Sequence, residues 1–146
     1  MAGRYFRATT DTPIGPLTVI GVCIPWSHAR ITAGRRDRAA WQDHSTYLDH
    51  LRRELEAVGR PVVLAGDINQ RIPRHRQPRR VAEQLDGCMD RMEIATVGRP
   101  GFDGLIDHVA HSADLHARRA SIIEARATSP RIAVHDGVVV DLRPIA

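Results

Sequence analysis

Hydrophobic and polar positions alternate weakly from Arg4 to Thr10 and more clearly from Leu17 to Cys23, with turn residues between them. Alternation of period two around a Pro/Gly-rich break predicts two strands joined as a hairpin, closing near Pro13 and Gly15. The pattern then changes period. Between Ala40 and Val58 the apolar residues Trp41, Leu48, Leu51, Leu55 and Val58 fall on one stripe, with Asp43, Asp49, Arg52, Arg53 and Glu56 largely off it. That spacing predicts an amphipathic helix, stopped by Gly59 and Pro61. Val62-Val63-Leu64-Ala65 follows, a short β-branched apolar run bounded by Pro61 and Gly66, and is expected to be a buried central strand. A second helix is expected from Pro78, a good first helical residue, carrying the stripe Val81, Leu85, Cys88 and Met89.

The remaining pattern is shorter in period. Glu93 to Val97 reads as a brief strand, residues 98–104 as a loop, and Leu105 to His111 as a strand with Asp107 in its middle. Ala113 to Ile123 fits neither period. Val134 to Leu142 closes the chain as a buried strand with His135 at its start. A strand–helix–strand unit flanked by hairpin strands predicts an α/β fold with one mostly antiparallel sheet and helices on one face. Arg4–Thr10, at the edge of that sheet, lacks a second neighbour.

Composition changes the picture in one respect. With 146 residues, 42% hydrophobic and 26% charged, the chain fits one soluble domain, and no apolar run approaches the ~20 residues that cross a bilayer. No signal-peptide core opens the sequence, so a cytoplasmic location is the default expectation. Cys23 and Cys88 have no metal-ligand spacing and are expected to be reduced and mostly buried. The net charge is +4, yet all 21 basic residues are arginine. The guanidinium fork matches phosphate oxygens, although a GC-rich genome would give the same bias. The densest cluster, Arg71 to Arg80, lies directly after Asp67 and Asn69. Residues 30–38 form a second basic stretch, expected to be a mobile loop.

Candidate chemistry centres on Gly66-Asp67-Ile68-Asn69. Strand alternation is expected to aim Asp67 and Asn69 to one side at a sheet mouth, where α/β folds hold ligands. The same residues are also good turn formers, and an Asx turn capping the strand is an equal reading. Asp107, a carboxylate within an apolar strand, requires a partner. His28, in the loop after the second strand, is placed to line a cleft.

Three segments together resemble the C-terminal half of the endonuclease/exonuclease/phosphatase superfamily. Gly66-Asp67-Ile68-Asn69 is similar to its Gly-Asp-Phe/Leu-Asn motif, Ile106-Asp107-His108-Val109 to its Ile-Asp-His-Ile/Val strand, and Val134-His135-Asp136 to its terminal Ser-Asp-His segment. The resemblance implies a β-sandwich of that type, here a single N-terminally truncated domain over 1–146. It implies metal-dependent hydrolysis of a phosphoester, nuclease- or phosphodiesterase-like, with Mg²⁺ or Mn²⁺ as cofactor. By resemblance His135 is the general base and Asp107 its orienting carboxylate, Asn69 orients the phosphate or the nucleophile, Asp67 assists the water, the leaving group or a metal, and Asp67 with Asn69 are the metal ligands. His28, Arg74 and Arg76 are expected to contact the phosphate of the substrate, which includes nucleic acid among the options. Two positions depart from the pattern. Val134 stands where the family has aspartate, and Cys23 stands near where it has tyrosine or histidine. The family's metal-binding glutamate and early asparagine have no counterpart here. A half-sandwich is expected to expose an apolar face and to self-associate or to bind a complementing N-terminal half. The alternatives are a non-catalytic remnant and an arginine-rich module that binds nucleic acid without hydrolysis.

Overall fold

The computed structural model describes residues 3–29, 39–125 and 135–145. The basic stretch 30–38 and Val134 lie outside the described residues. Strands β1 (Tyr5–Thr12) and β2 (Gly15–Cys23) form the expected hairpin. Helix α1 (Gln42–Ala57) returns the chain to β3 (Val62–Asp67), which pairs in parallel with β2. Helix α2 (Arg79–Cys88) and the short β4 (Met92–Ile94) follow, and β5 (Asp107–Ser112) inserts antiparallel between β3 and β4. The five-stranded order is β1-β2-β3-β5-β4, with β3 in the centre. Its one parallel pairing is the β2–α1–β3 crossover, which a hairpin could not make.

Both helices pack on one face. Ile20, Val22, Val62 and Leu64 from the sheet meet Tyr47, Leu48, Leu51, Leu55 and Leu85 from the helices in one core. Helix α1 buries His44 and Tyr47 as well as the leucines, so its buried stripe includes polar tips that hydropathy alone leaves out. Each tip is bonded: the Tyr47 hydroxyl donates to the Arg4 carbonyl at 2.6 Å.

The end of the chain corrects the single-sheet expectation. The ambiguous segment is strand β6 (Leu115–Ile123), and β7 (Gly137–Pro144) pairs with it antiparallel in a separate two-stranded sheet. The reason is that β5 already has β3 on one side and β4 on the other, so it has no free edge for the last strand. The terminal strand therefore comes to β5 by packing rather than by a ladder.

Gly66 explains the break in the β3 pattern. It adopts φ +139°, and a Cβ there would lie 2.0 Å from the Val22 carbonyl oxygen on the neighbouring strand. Only glycine allows that approach at the point where the chain leaves the sheet.

Candidate active site

The site is built at the end of β3. Asp67 is the last residue of that strand and stands opposite both Cys23 of β2 and Asp107 of β5 in the sheet register. The Asp67 carboxylate accepts the Asn69 backbone N–H at Oδ1 (3.0 Å) and the Asn69 side-chain amide at Oδ2 (2.8 Å). This is the Asx turn that sequence reading set against a ligand site. Here the turn and the rim are the same object. Asn69 sits at φ +55°, a left-handed conformation that asparagine tolerates, so it reaches Asp67 through a turn rather than by strand alternation. Its amide nitrogen also donates to the Ile24 carbonyl at 2.8 Å, tying the rim to the loop after β2.

Asp107 begins β5, and its Oδ2 is hydrogen-bonded to Nδ1 of His135, two residues before β7. The separate β6–β7 sheet thus brings His135 to the carboxylate without strand pairing. The histidine ring is 39% exposed and Asp107 21%, so the pair lies open to solvent on the histidine side. Burial pushes the Asp67 carboxyl above its ordinary range, and the neighbouring Asp107 charge adds to that; the Asn69 N–H and His135 oppose it. Asp67, Asn69, Asp107 and His135 therefore form one electrostatic cluster from three distant segments of the chain.

Next to His135 opens a cavity of ≈ 690 Å³, walled by Leu105, Ile106 and Ile122 and reached by Arg71, Glu124 and Asp136. Of the basic segment, Arg71 faces this space. Arg74 instead lines a separate pocket under α2 and donates to the Gln77 carbonyl at 3.2 Å. Arg76 is exposed, and Arg79 pairs with Glu83. His28 is an exposed loop residue bonded to the Ser27 hydroxyl at 2.9 Å and stacked at a tilt near Trp26.

One further residue reaches the rim. Cys23 was expected to be buried and is exposed. As the last residue of β2 it points its thiol at Asp67 Oδ2 (3.9 Å) and receives Arg4 Nη1 at 3.4 Å. Its register opposite Asp67 is the signal that would have placed it, and only the parallel pairing reveals that register. Cys88 is buried as expected, and its apolar surroundings push the thiol up to about 12. Gln70 and His44 are also missed, because buried polar residues look like surface positions in a hydropathy pattern.

No protein-family model and no curated protein matches the sequence. Among solved structures, an endonuclease/exonuclease/phosphatase from Beutenbergia cavernae superposes on 96% of this chain with a TM-score of 0.62 at 19% identity. The chain carries part of the endonuclease/exonuclease/phosphatase fold. It spans 39% of the length of the Beutenbergia protein. Two Bacteroides thetaiotaomicron structures match over 74% of this chain with TM-scores of 0.38: a family protein at 14% identity and a mannosyl-6-phosphatase at 13%. They cover 39% and 40% of those chains respectively, and at that similarity they add nothing to the fold assignment. Among the described residues no three His, Cys, Asp or Glu side chains cluster as a ready-made metal cage. No described helix is long and apolar enough to cross a membrane.

Proposed function

We propose that this chain supplies the base and the phosphate-anchoring rim of a metal-dependent phosphoester hydrolase. The observation that carries the reading is the His135–Asp107 hydrogen bond, made across the chain beside a second carboxylate and an amide. With Nδ1–H donated to Asp107, the imidazole keeps Nε2 as an acceptor. His135 takes a proton from a water as its oxygen attacks phosphorus, and Asp107 stabilises the imidazolium that results. The P–O bond to the leaving group breaks as the new one forms, the leaving oxygen keeps the bonding pair and takes a proton from solvent, and His135 returns its proton to solvent. Asn69 orients the attacking water from a fixed rotamer through its amide oxygen, because both protons of its nitrogen are already donated to Asp67 and Ile24.

The donor chemistry fits a hard divalent cation of the Mg²⁺ or Mn²⁺ kind. Such an ion takes one or two carboxylates and keeps several waters, so it does not need the closed cage that is absent among the described residues. Asp67 and Asn69 would hold it, and the destabilised charge of Asp67 beside Asp107 is the charge a cation relieves. Bound there, the ion supplies charge neutralisation to a phosphate.

Arg71, the arginine that reaches the cavity beside His135, is the better candidate for substrate phosphate than Arg74 or Arg76. A nucleic-acid strand remains within the substrate class, and a phosphodiester such as bis(p-nitrophenyl) phosphate is the generic probe. With Mg²⁺ or Mn²⁺ present, hydrolysis by the wild-type chain is expected to fall at least 10²-fold in His135→Ala and in Asp67→Ala. Activity that survives both changes places the chemistry elsewhere. A wild-type chain with no activity on phosphoesters refutes the reading and leaves the non-catalytic alternative.

A further inference from the structure

We infer that a buried chain of hydrogen bonds through His44, Gln70 and His108 is the device that positions the Asp67/Asn69 rim; the catalytic part of this inference rests on the proposed hydrolase reading. The three side chains are 0%, 2% and 1% exposed, and none of them touches the proposed reacting groups as a proton carrier. Their bonds fix one another. His44 Nδ1 lies 2.7 Å from the Pro25 carbonyl, which only accepts, so Nδ1 carries the proton and Nε2 is an acceptor. Gln70 Nε2 donates to that nitrogen at 2.8 Å and to the Val81 carbonyl at 3.2 Å. The Gln70 backbone carbonyl in turn accepts from His108 Nε2 at 3.2 Å, which leaves His108 Nδ1 to accept from the Thr96 hydroxyl at 2.7 Å. Gln70 is therefore pinned by an imidazole from α1 at its side chain and by an imidazole from β5 at its backbone.

The connection to the rim is short. Asn69 donates to the Ile24 carbonyl, and Gln70, through His44, is tied to the next carbonyl in the chain, that of Pro25. Two adjacent residues after β3 are thus held to two adjacent residues after β2 by parallel links. The bonds of Asn69 to Asp67 and Ile24 leave the turn free to move with the loop after β2; the second link, through Gln70 and His44, fixes that loop to α1 as well. His108 adds the third support from the strand that also carries Asp107, so the base pair and the rim share an anchor. Asparagine tolerates φ +55°, and its amide is bonded directly to Asp67 and Ile24; the bracing of the next residue holds the backbone from which that amide is presented.

A structural role and a positioning role separate in a pair of variants of the full chain. Gln70→Met keeps the volume and removes both side-chain bonds, leaving His44 Nε2 buried without a donor. His44→Phe/Gln70→Met removes both partners of the imidazole–amide bond, so the buried His44 Nε2 is no longer left without a donor and only the Pro25 and Val81 carbonyls lose one, which restores part of the lost stability. The positioning role predicts that melting temperature partly recovers in the double variant while kcat stays down on the order of 10²-fold, with KM within about twofold of wild type. A readout independent of turnover is the Asn69 side-chain amide in ¹⁵N-resolved NMR. In the wild type its two protons are expected at well-separated shifts with slow solvent exchange; in both variants they collapse towards free-amide shifts and exchange fast. Asn69 protons that stay shifted and protected in both variants overturn the inference, whatever the kinetics. A wild-type chain that shows the protected amide but hydrolyses nothing sinks the hydrolase reading and leaves the bracing in place.

Discussion

Asp67 carries a conflict between stability and function. Its carboxylate is half-buried, stands opposite Asp107 in the register, and is pushed towards the protonated form by burial first and by that neighbour second. An ionised group held there destabilises the fold, and such cost is characteristic of functional positions. Asp67→Asn keeps an oxygen for the Asn69 backbone N–H, gives up the bond from the Asn69 side-chain amide and removes the charge; with the charge the larger effect, the expected outcome is a higher melting temperature together with lost hydrolysis. The comparison is made by thermal denaturation at neutral pH without divalent cations. Adding millimolar Mg²⁺ is expected to stabilise the wild type and not the variant, closing the gap between them. A variant less stable than wild type contradicts the account of Asp67 as a charge held against its preference. Gly66, one residue earlier, is the opposite kind of position. Gly66→Ala drives a methyl to 2.0 Å from the Val22 carbonyl in a conformation alanine rarely adopts, and a loss of more than about 3 kcal/mol in urea unfolding is expected. At this scale the sequence was informative where a residue was out of place for its pattern. Asp107 inside an apolar strand announced a partner, and His135 is that partner. Cys23 and Gln70 gave no such signal, because a thiol at a strand end and a glutamine after a turn are ordinary until the register brings them to the rim.

Among the elements, α1 and β3 were legible because each has a single strong period and firm stop residues, while β6 was not. The burial of β6 alternates only in part, and the register shifts between Ala117 and Arg119, so no unbroken period of two survives in the sequence. The helix stripe was read correctly for its leucines and missed His44, since a buried histidine is excused by bonds that hydropathy does not register. Those bonds make a testable demand. Burial depresses the basicity of His44 and, on β5, of His108; the Pro25 carbonyl opposes the shift at His44, and the Gln70 and Leu105 carbonyls and Asp107 oppose it at His108. Both imidazoles stay neutral in the fold at a pH where those of the unfolded chain take up a second proton. The unfolded state therefore takes up more protons below the ordinary histidine range, and stability must fall as pH is lowered through about 6.5. Two such groups give a limiting slope of about 2.7 kcal/mol per pH unit. Denaturant titrations between pH 7.5 and 5 measure it. The double variant His44→Phe/Gln70→Met is expected to show a shallower slope, because only His108 then remains. An equal slope in that variant assigns the acid sensitivity to other groups.

Among the described residues, the five-stranded sheet has one face covered and one largely open. Helices α1 and α2 pack on the Ile20/Val22/Leu64 side of the five-stranded sheet. The other side presents Phe6, Ala8, Val19, Gly21 and Ala65, which the register sets side by side across β1, β2 and β3. Towards β5 this face is closed, with Val63 and His111 buried, but at β1 the Phe6 ring lies across Gly21 and is 60% exposed. An apolar surface that small side chains keep flat is suited to meeting another layer rather than water. For the 146-residue chain by itself the same physics predicts association of copies through β1 and β2, where the edge strand also offers unpaired backbone groups. Removing one Phe6 ring from water contributes roughly 2 kcal/mol per copy, so the balance is sensitive to this single side chain. Sedimentation velocity from about 5 to 200 μM is expected to show a concentration-dependent shift above the monomer mass. Phe6→Ser is expected to move the midpoint upward by about tenfold or more while leaving the helical face and the Asn69 amide signals unchanged. Arg53→Ser, on the exposed side of α1, is the control and should leave the midpoint where it was. A chain that stays monomeric across that range has its open face satisfied within its own 146 residues, and a midpoint that follows Arg53 rather than Phe6 moves the contact to the helices.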